Sequence, residues 1–168
     1  ALPVLRGAAG AETNAVAITF DDGFQTVCTE ALPVLKDHGF RATVFLVGDC
    51  LGLSSPWLQP ADGFPRFSLM HANEAERLLD SGWELGGHSA THAHLTGLPD
   101  DELDRELRRC KSGLRSLSGS DPFWFAYPAI RRVMLTLSDL PFDTSRLIFP
   151  LAHLTPWVPA LSHALERE

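Results

Sequence analysis

Two short stretches hold residues that could do chemistry together. The first is Thr19-Phe20-Asp21-Asp22-Gly23, two adjacent carboxylates at the end of an apolar run; the second is His88-Ser89-Ala90-Thr91-His92, two imidazoles four residues apart. Together they supply three ligands for a divalent cation and leave one carboxylate over as a base. In an extended backbone neighbouring side chains point to opposite sides, so one of Asp21 and Asp22 can bind a cation while the other faces a water beside it. Gly23 lets the chain turn away at once. Either a helical turn or a tight loop brings residues 88 and 92 to one side. Imidazole and carboxylate donors suit Zn²⁺, for which three protein ligands plus water is the usual catalytic arrangement; Co²⁺, Ni²⁺ and Mn²⁺ take the same donors. His94 offers a further imidazole. Each stretch alone has an ordinary explanation, since Asp-Gly is a common turn dipeptide and histidine pairs occur on surfaces. The combination points to metal-assisted hydrolysis.

Such a site needs elements to position it. Residues 15–20 read as a buried strand ending at Asp-Asp-Gly, and residues 42–47, Ala-Thr-Val-Phe-Leu-Val, as a second. Between them, residues 26–38 read as a helix closed by Gly39, with Pro33 near its first turn or kinking it. Near-continuously apolar strands separated by a helix are the pattern of a parallel sheet covered by helices. Residues 48–70, rich in glycine and proline, read as a long loop of the functional kind. Asn73 to Asp80 form a short helix, and Trp83-Glu84-Leu85-Gly86 a third strand that delivers His88. Pro99 to Leu117 form a helix with Asp100, Asp101 and Glu102 in the first turn, where the dipole favours negative charge. Its alternating charges read as a solvated face. Phe123 to Tyr127 form a fourth strand ending at Pro128, and Leu147-Ile148-Phe149 a further short one. Every candidate residue thus falls at the C-terminal end of a strand, the edge where α/β folds build their sites.

Bulk properties narrow the function classes. A chain of 168 residues with 45% hydrophobic and 21% charged residues is one ordinary globular domain, long enough to bury a core. A net charge of −7 argues against nucleic-acid binding, whose footprint is a basic face. No apolar run reaches the ~20 residues of a membrane span. Residues Ala1 to Arg6 lack the basic-then-apolar order of a secretory signal, which leaves the compartment open. Cys28, Cys50 and Cys110 are an odd, widely spaced set and read as free buried thiols. Trp83 and Trp124 read as core residues; Trp57, in the long loop, is the candidate for stacking on a sugar.

Four segments in order, Thr19-Phe20-Asp21-Asp22-Gly23, Ala42-Thr43-Val44-Phe45, His88-Ser89-Ala90-Thr91-His92 and Phe125-Ala126-Tyr127-Pro128, resemble the polysaccharide deacetylase family, the NodB-homology domain of carbohydrate esterase family 4. The resemblance covers residues 15–130. It implies a distorted (β/α) barrel and a metal-dependent hydrolase removing N-acetyl groups from the amino sugars of a polysaccharide or oligosaccharide, with an N-acetylated glycan as partner. It implies Asp21 as the general base, Asp22, His88 and His92 as the metal ligands (hence His92 rather than His94), and the Ala129 N–H as oxyanion donor. A histidine in a late Leu-x-His segment would protonate the leaving amine; His153 and His163 both fit that pattern.

The chain departs from the family pattern in three places. Ala126 stands where the family often has an arginine that pairs with the base, which leaves the Asp21 pKa less depressed. Ala129-Ile130 replaces Tyr-Gly, and isoleucine forbids backbone conformations open to glycine. The family barrel has about seven strands where four or five are legible here, so residues 131–168 read as an atypical or truncated tail of a single domain spanning 1–168. An incomplete barrel exposes a sheet edge, or needs a second chain to cover it. Two further readings follow from these departures: a NodB-like hydrolase of a non-sugar amide or imide, and a binding protein that keeps the metal site without turnover.

Overall fold

The computed structural model describes residues 17–59, 63, 65–122, 124–128 and, for the backbone, 147–148. Five parallel strands form one sheet in the order β1 to β5: Thr19–Phe20, Thr43–Leu46, Glu84–Gly87, Phe125–Ala126 and Leu147–Ile148. The registers pair Phe20 with Val44, Val44 with Leu85, Gly87 with Phe125 and Ala126 with Ile148. The sheet curls into half of a barrel with helices on its outer side, so the expected α/β barrel of NodB type is the fold. The readings that fall on residues 15–16, 129–146 and 149–168 lie outside the described residues. Among them are Ala129, Ile130, His153, His163 and most of the tail.

The curl sorts side chains by alternation along the strands. Val44, Leu46, Leu85, Phe125 and Tyr127 join the main core with Leu78 of helix α2 (Ala72–Asp80) and with Leu107, Cys110 and Leu114 of helix α3 (Asp100–Ser118). Phe45, Trp124 and Ala126 form a separate buried cluster on the other face. Trp83 and Trp124 are core residues, as their strand positions imply, and all three cysteines are free and buried. Among the described residues no helix is long and apolar enough to cross a membrane.

Gly86 separates the two faces at a point of close approach. A Cβ there would stand 2.5 Å from two atoms of the Phe45 ring and 3.1 Å from the Trp124 carbonyl oxygen. Gly86→Ala is therefore expected to destabilise the fold by about 1–3 kcal/mol, the usual cost of overpacking, as read by urea denaturation.

The segment read as one helix over 26–38 is helical without a break from Gln25 to Asp37, but not uniformly so. A π-helical turn, Val27–Ala31, runs directly into helix α1 (Leu32–Asp37). Pro33 has no N–H to offer, and its ring would meet the carbonyl of Thr29 in a regular helix. Widening the preceding turn accommodates both. Helix α2 starts in a capping box, with the Glu74 carboxylate accepting from the His71 N–H at 2.8 Å. Glu74 also accepts from the Gln25 side chain, which ties this helix to the segment just after Asp21-Asp22-Gly23.

Candidate metal centre

Asp21, Asp22 and His88 sit where β1 and β3 end, on the same edge of the sheet. The pair Asp21-Asp22 does not continue the strand. Asp22 has φ 69° and Gly23 φ 73°, so the chain turns at the second carboxylate. The expectation of an extended pair is corrected: the turn, and not strand alternation, separates the two side chains. Gly23 is confined as well, since a Cβ would lie 2.5 Å from the end of the Leu46 side chain.

A tight loop, not a helical turn, carries the histidines. His88 continues β3 and donates its N–H to the Leu46 carbonyl at 2.9 Å. Ser89 and His92 both take left-handed backbone conformations, φ 61° and φ 63°. Such conformations cost non-glycine residues of order 1–3 kcal/mol. All three positive-φ residues other than glycine among the described residues therefore belong to the two motifs. The surrounding structure must hold them there.

Much of that holding comes from Glu106, on α3. One carboxylate oxygen accepts from the Ala90 and Thr91 N–H groups, each at 3.0 Å, and the other accepts from the Thr91 hydroxyl at 2.9 Å. Glu106 is 9% exposed. The solvated-face reading of this helix is corrected at this position: the carboxylate points inward because the histidine loop has two N–H groups to satisfy. A signal was present in the sequence. Glu106 falls one residue before Leu107 and three after Leu103, beside the apolar stripe rather than opposite it. Charged partners hold the same helix elsewhere, including an ion pair between Arg109 and Asp49.

The three ligand atoms converge. His88 Nε2 lies 3.2 Å, and His92 Nε2 3.1 Å, from the same Asp22 oxygen, Oδ1, and the donor set lies within 4.8 Å throughout. His94 is exposed and stands outside this cluster. Asp21 is half-buried and stands outside it as well. It helps line an open groove of about 540 Å³ whose walls include Ile18, Phe20, Phe24, Val27 and Leu35. Burial alone would raise the Asp22 pKa, but the hydrogen bonds and positive charge that the His88 and His92 rings offer when a proton sits between them and the carboxylate outweigh it and hold the carboxyl well below its usual range. Asp22 therefore stays ionised.

The donor set fits a divalent cation on its own chemistry. His88 Nδ1 lies 2.9 Å from the Ala126 carbonyl oxygen, deep in the core. A carbonyl accepts only, so Nδ1 carries a proton, and with that proton alone on the ring the lone pair of Nε2 faces an Asp22 oxygen. Two acceptors facing each other at that distance repel unless a proton or a cation lies between them. A metal-binding histidine anchored through its other nitrogen to a backbone carbonyl is the usual arrangement. Ala126 thus contributes its carbonyl, which no side chain at that position can change.

Trp57 is not laid open for a sugar on both faces. Its indole stacks on the His92 ring with centroids 4.2 Å apart and planes at 15°.

A family model described as polysaccharide deacetylase matches residues 8–141. The chain is 30% identical over 114 residues to a peptidoglycan-N-acetylglucosamine deacetylase of Bacillus cereus, a match covering 67% of this chain and 35% of that protein. It is 28% identical over 127 residues to a chitin deacetylase of a Pestalotiopsis species, covering 76% of this chain and 38% of that one. The chain therefore spans little more than a third of these curated relatives. The fold is similar to that of the Streptococcus pyogenes deacetylase PplD, solved in complex with acetate, at a TM-score of 0.65 and 22% identity over 81% of this chain and 57% of that one. Because the family match runs through both motifs, every described strand but the last and the loop that joins His88 to His92, the chain belongs to the polysaccharide deacetylase family.

Proposed function

We propose that this chain is a metal-dependent hydrolase that removes N-acetyl groups from the amino sugars of a polysaccharide or oligosaccharide. The convergence of Asp22, His88 and His92 on one point, next to a second carboxylate at the same strand edge, carries this reading. The names of the relatives, which act on peptidoglycan and chitin, support the substrate class. The ion is most simply Zn²⁺, with Co²⁺, Ni²⁺ and Mn²⁺ compatible with the same donors.

Asp22, His88 and His92 would hold a divalent ion, which would supply Lewis-acid polarisation of an amide carbonyl and acidify a water. Asp21 is the proton acceptor for that water as it attacks the acetamide carbon. Its place directly before Asp22 would set it beside a cation held there, outside the ligand set. The Ala129 N–H is the donor assigned to the oxyanion that develops on the carbonyl oxygen, an interaction whose loss typically costs ~3–4 kcal/mol. His153 or His163 donates the proton that lets the amine leave. The Asp22 turn and the Glu106 clamp keep the three donors in place, so little reorganisation accompanies the reaction.

The purified chain loaded with Zn²⁺ or Co²⁺ is expected to release acetate from N-acetylglucosamine oligomers, to lose that activity on treatment with a chelator and to regain it on metal readdition. Acetate assay across chitin oligomers, peptidoglycan fragments and a panel of non-sugar amides and imides tests the substrate class. Turnover confined to the non-sugar amides would replace the glycan reading. Metal uptake with no turnover on any of them would make the chain a binding protein.

A further inference from the structure

The two histidines of the candidate centre are held by different means. His88 is 2% exposed, and its Nδ1 is fixed on the Ala126 carbonyl. Metal-binding histidines are ordinarily oriented in this way, through the nitrogen that faces away from the metal. His92 has no such bond among the described residues. Its ring contacts are Asp22 Oδ1 at Nε2, the tilted His88 ring at 5.2 Å between centroids, and the stacked Trp57 indole. The backbone at His92 is left-handed, so the residue does not rest in this geometry by local preference.

Trp57 is itself seated by packing. With Phe24 it lies against the buried cluster of Val47, Cys50 and Leu69, at the C-terminal end of β2 and in the loop beyond. Its Nε1 is buried and has no partner among the described residues, so no hydrogen bond sets the plane of the indole. The position of the ring is decided by its two faces and by what they touch.

We propose that Trp57 is a positioning residue for His92: the indole face takes the place of an Nδ1 hydrogen bond and sets the imidazole plane so that Nε2 points at the cation. The inference rests on the reading of Asp22, His88 and His92 as metal ligands. A flat contact at 4.2 Å resists tilting of the imidazole out of its plane. It also adds something a hydrogen bond does not. An imidazole bound to a divalent ion takes on part of the positive charge, and the electron-rich face of an indole attracts it. The metal-bound state is thereby favoured over the free one, and the loop that carries Trp57 is coupled to metal affinity.

The test is calorimetric titration of Zn²⁺ into the chelator-stripped full chain, for wild type, Trp57→Phe and Trp57→Leu, with the visible absorption of the Co²⁺ forms as a second readout. Phenylalanine keeps a ring face and is expected to bind within a few-fold of wild type. Leucine keeps apolar bulk without a face and is expected to bind about tenfold or more weakly, the scale of effect seen when a ligand's supporting contact is lost, with an altered Co²⁺ spectrum. Circular dichroism establishes that each variant is folded, and Trp57→Met replaces the leucine variant should that one not fold. Equal affinities and identical Co²⁺ spectra in all the variants overturn the proposal. A raised KM with unchanged metal affinity does so too, because it assigns Trp57 to substrate. No Zn²⁺ uptake by the wild-type chain removes the metal-centre reading itself, and the role of Trp57 with it, a result distinct from uptake that is insensitive to residue 57.

Discussion

Asp21→Asn is expected to lower turnover of an N-acetylated sugar by about 10²–10⁴-fold, the contribution of a positioned general base, while leaving the metal content unchanged. Asp22→Asn is expected to do the reverse in order: the metal is lost first, and turnover with it. The two residues are neighbours and chemically identical, so the contrast is a demanding one. It follows from the turn. Asp22 has left the strand at φ 69° and puts one oxygen within 3.2 Å of both imidazoles. Asp21 follows directly on β1, before the turn, and is not one of the three clustered donors. Metal analysis of dialysed protein beside an acetate-release assay separates the two effects. Loss of metal from Asp21→Asn, or full turnover in that variant, would show that the roles have been assigned to the wrong carboxylates.

Glu106→Ala is expected to lower stability and metal affinity together. The alanine variant leaves the Ala90 and Thr91 N–H groups without their acceptor, and Ala90 is fully buried. An unsatisfied buried donor costs about 1–3 kcal/mol, and Thr91 is exposed, so its N–H can turn to water; a loss of roughly 1–3 kcal/mol is expected by denaturant titration. Metal affinity should fall together with stability, because the same hydrogen bonds hold Ser89 and His92 in their left-handed conformations. Glu106→Gln keeps a carbonyl oxygen for the two N–H groups and an amide that can donate to the Thr91 hydroxyl. It should recover most of the stability. A glutamine variant as damaged as the alanine one would mean that the charge, and not the acceptor geometry, is what the loop requires.

These two expectations differ in where their evidence lies. The pair Asp21-Asp22 is visible as letters, two carboxylates, then glycine, after an apolar run, and the family resemblance implies which of them is the base and which the ligand. Strand ends are equally visible, because a buried parallel strand must be apolar on both faces and stops where polar residues begin. That is why Thr19–Phe20, Thr43–Leu46 and Glu84–Gly87 fall inside or within a residue of the stretches read as strands, and why Asp100–Ser118 matches its helix to one residue at each end. The acidic first turn and Gly119, at φ 71° beyond the last turn, are local signals.

Glu106 was less legible. In α3 it is one of many acidic residues, and only its position beside the apolar stripe distinguished it. Its purpose depends on two N–H groups in another segment, which no local pattern records. The π-helical turn before Pro33 is similar: the proline announces a disturbance, but how the chain absorbs it is decided by what the surrounding residues bury. Trp57 is the extreme case. An exposed-looking tryptophan in a loop rich in glycine and proline suggests a surface for a ligand. Its actual neighbour on one face, His92, lies thirty-five positions further along.

From its letters alone this chain shows which donor types are present, in what order, and on which edge of a parallel sheet, because those follow from side-chain identity and from where the apolar strands stop. The tertiary structure decides how the donors are held. It turns the backbone at Asp22, buries Glu106 under the histidine loop, lends the Ala126 carbonyl to His88 and lays Trp57 on His92. These are contacts between segments remote in the chain, and they form only once the core has brought β1, β3, β4 and α3 together.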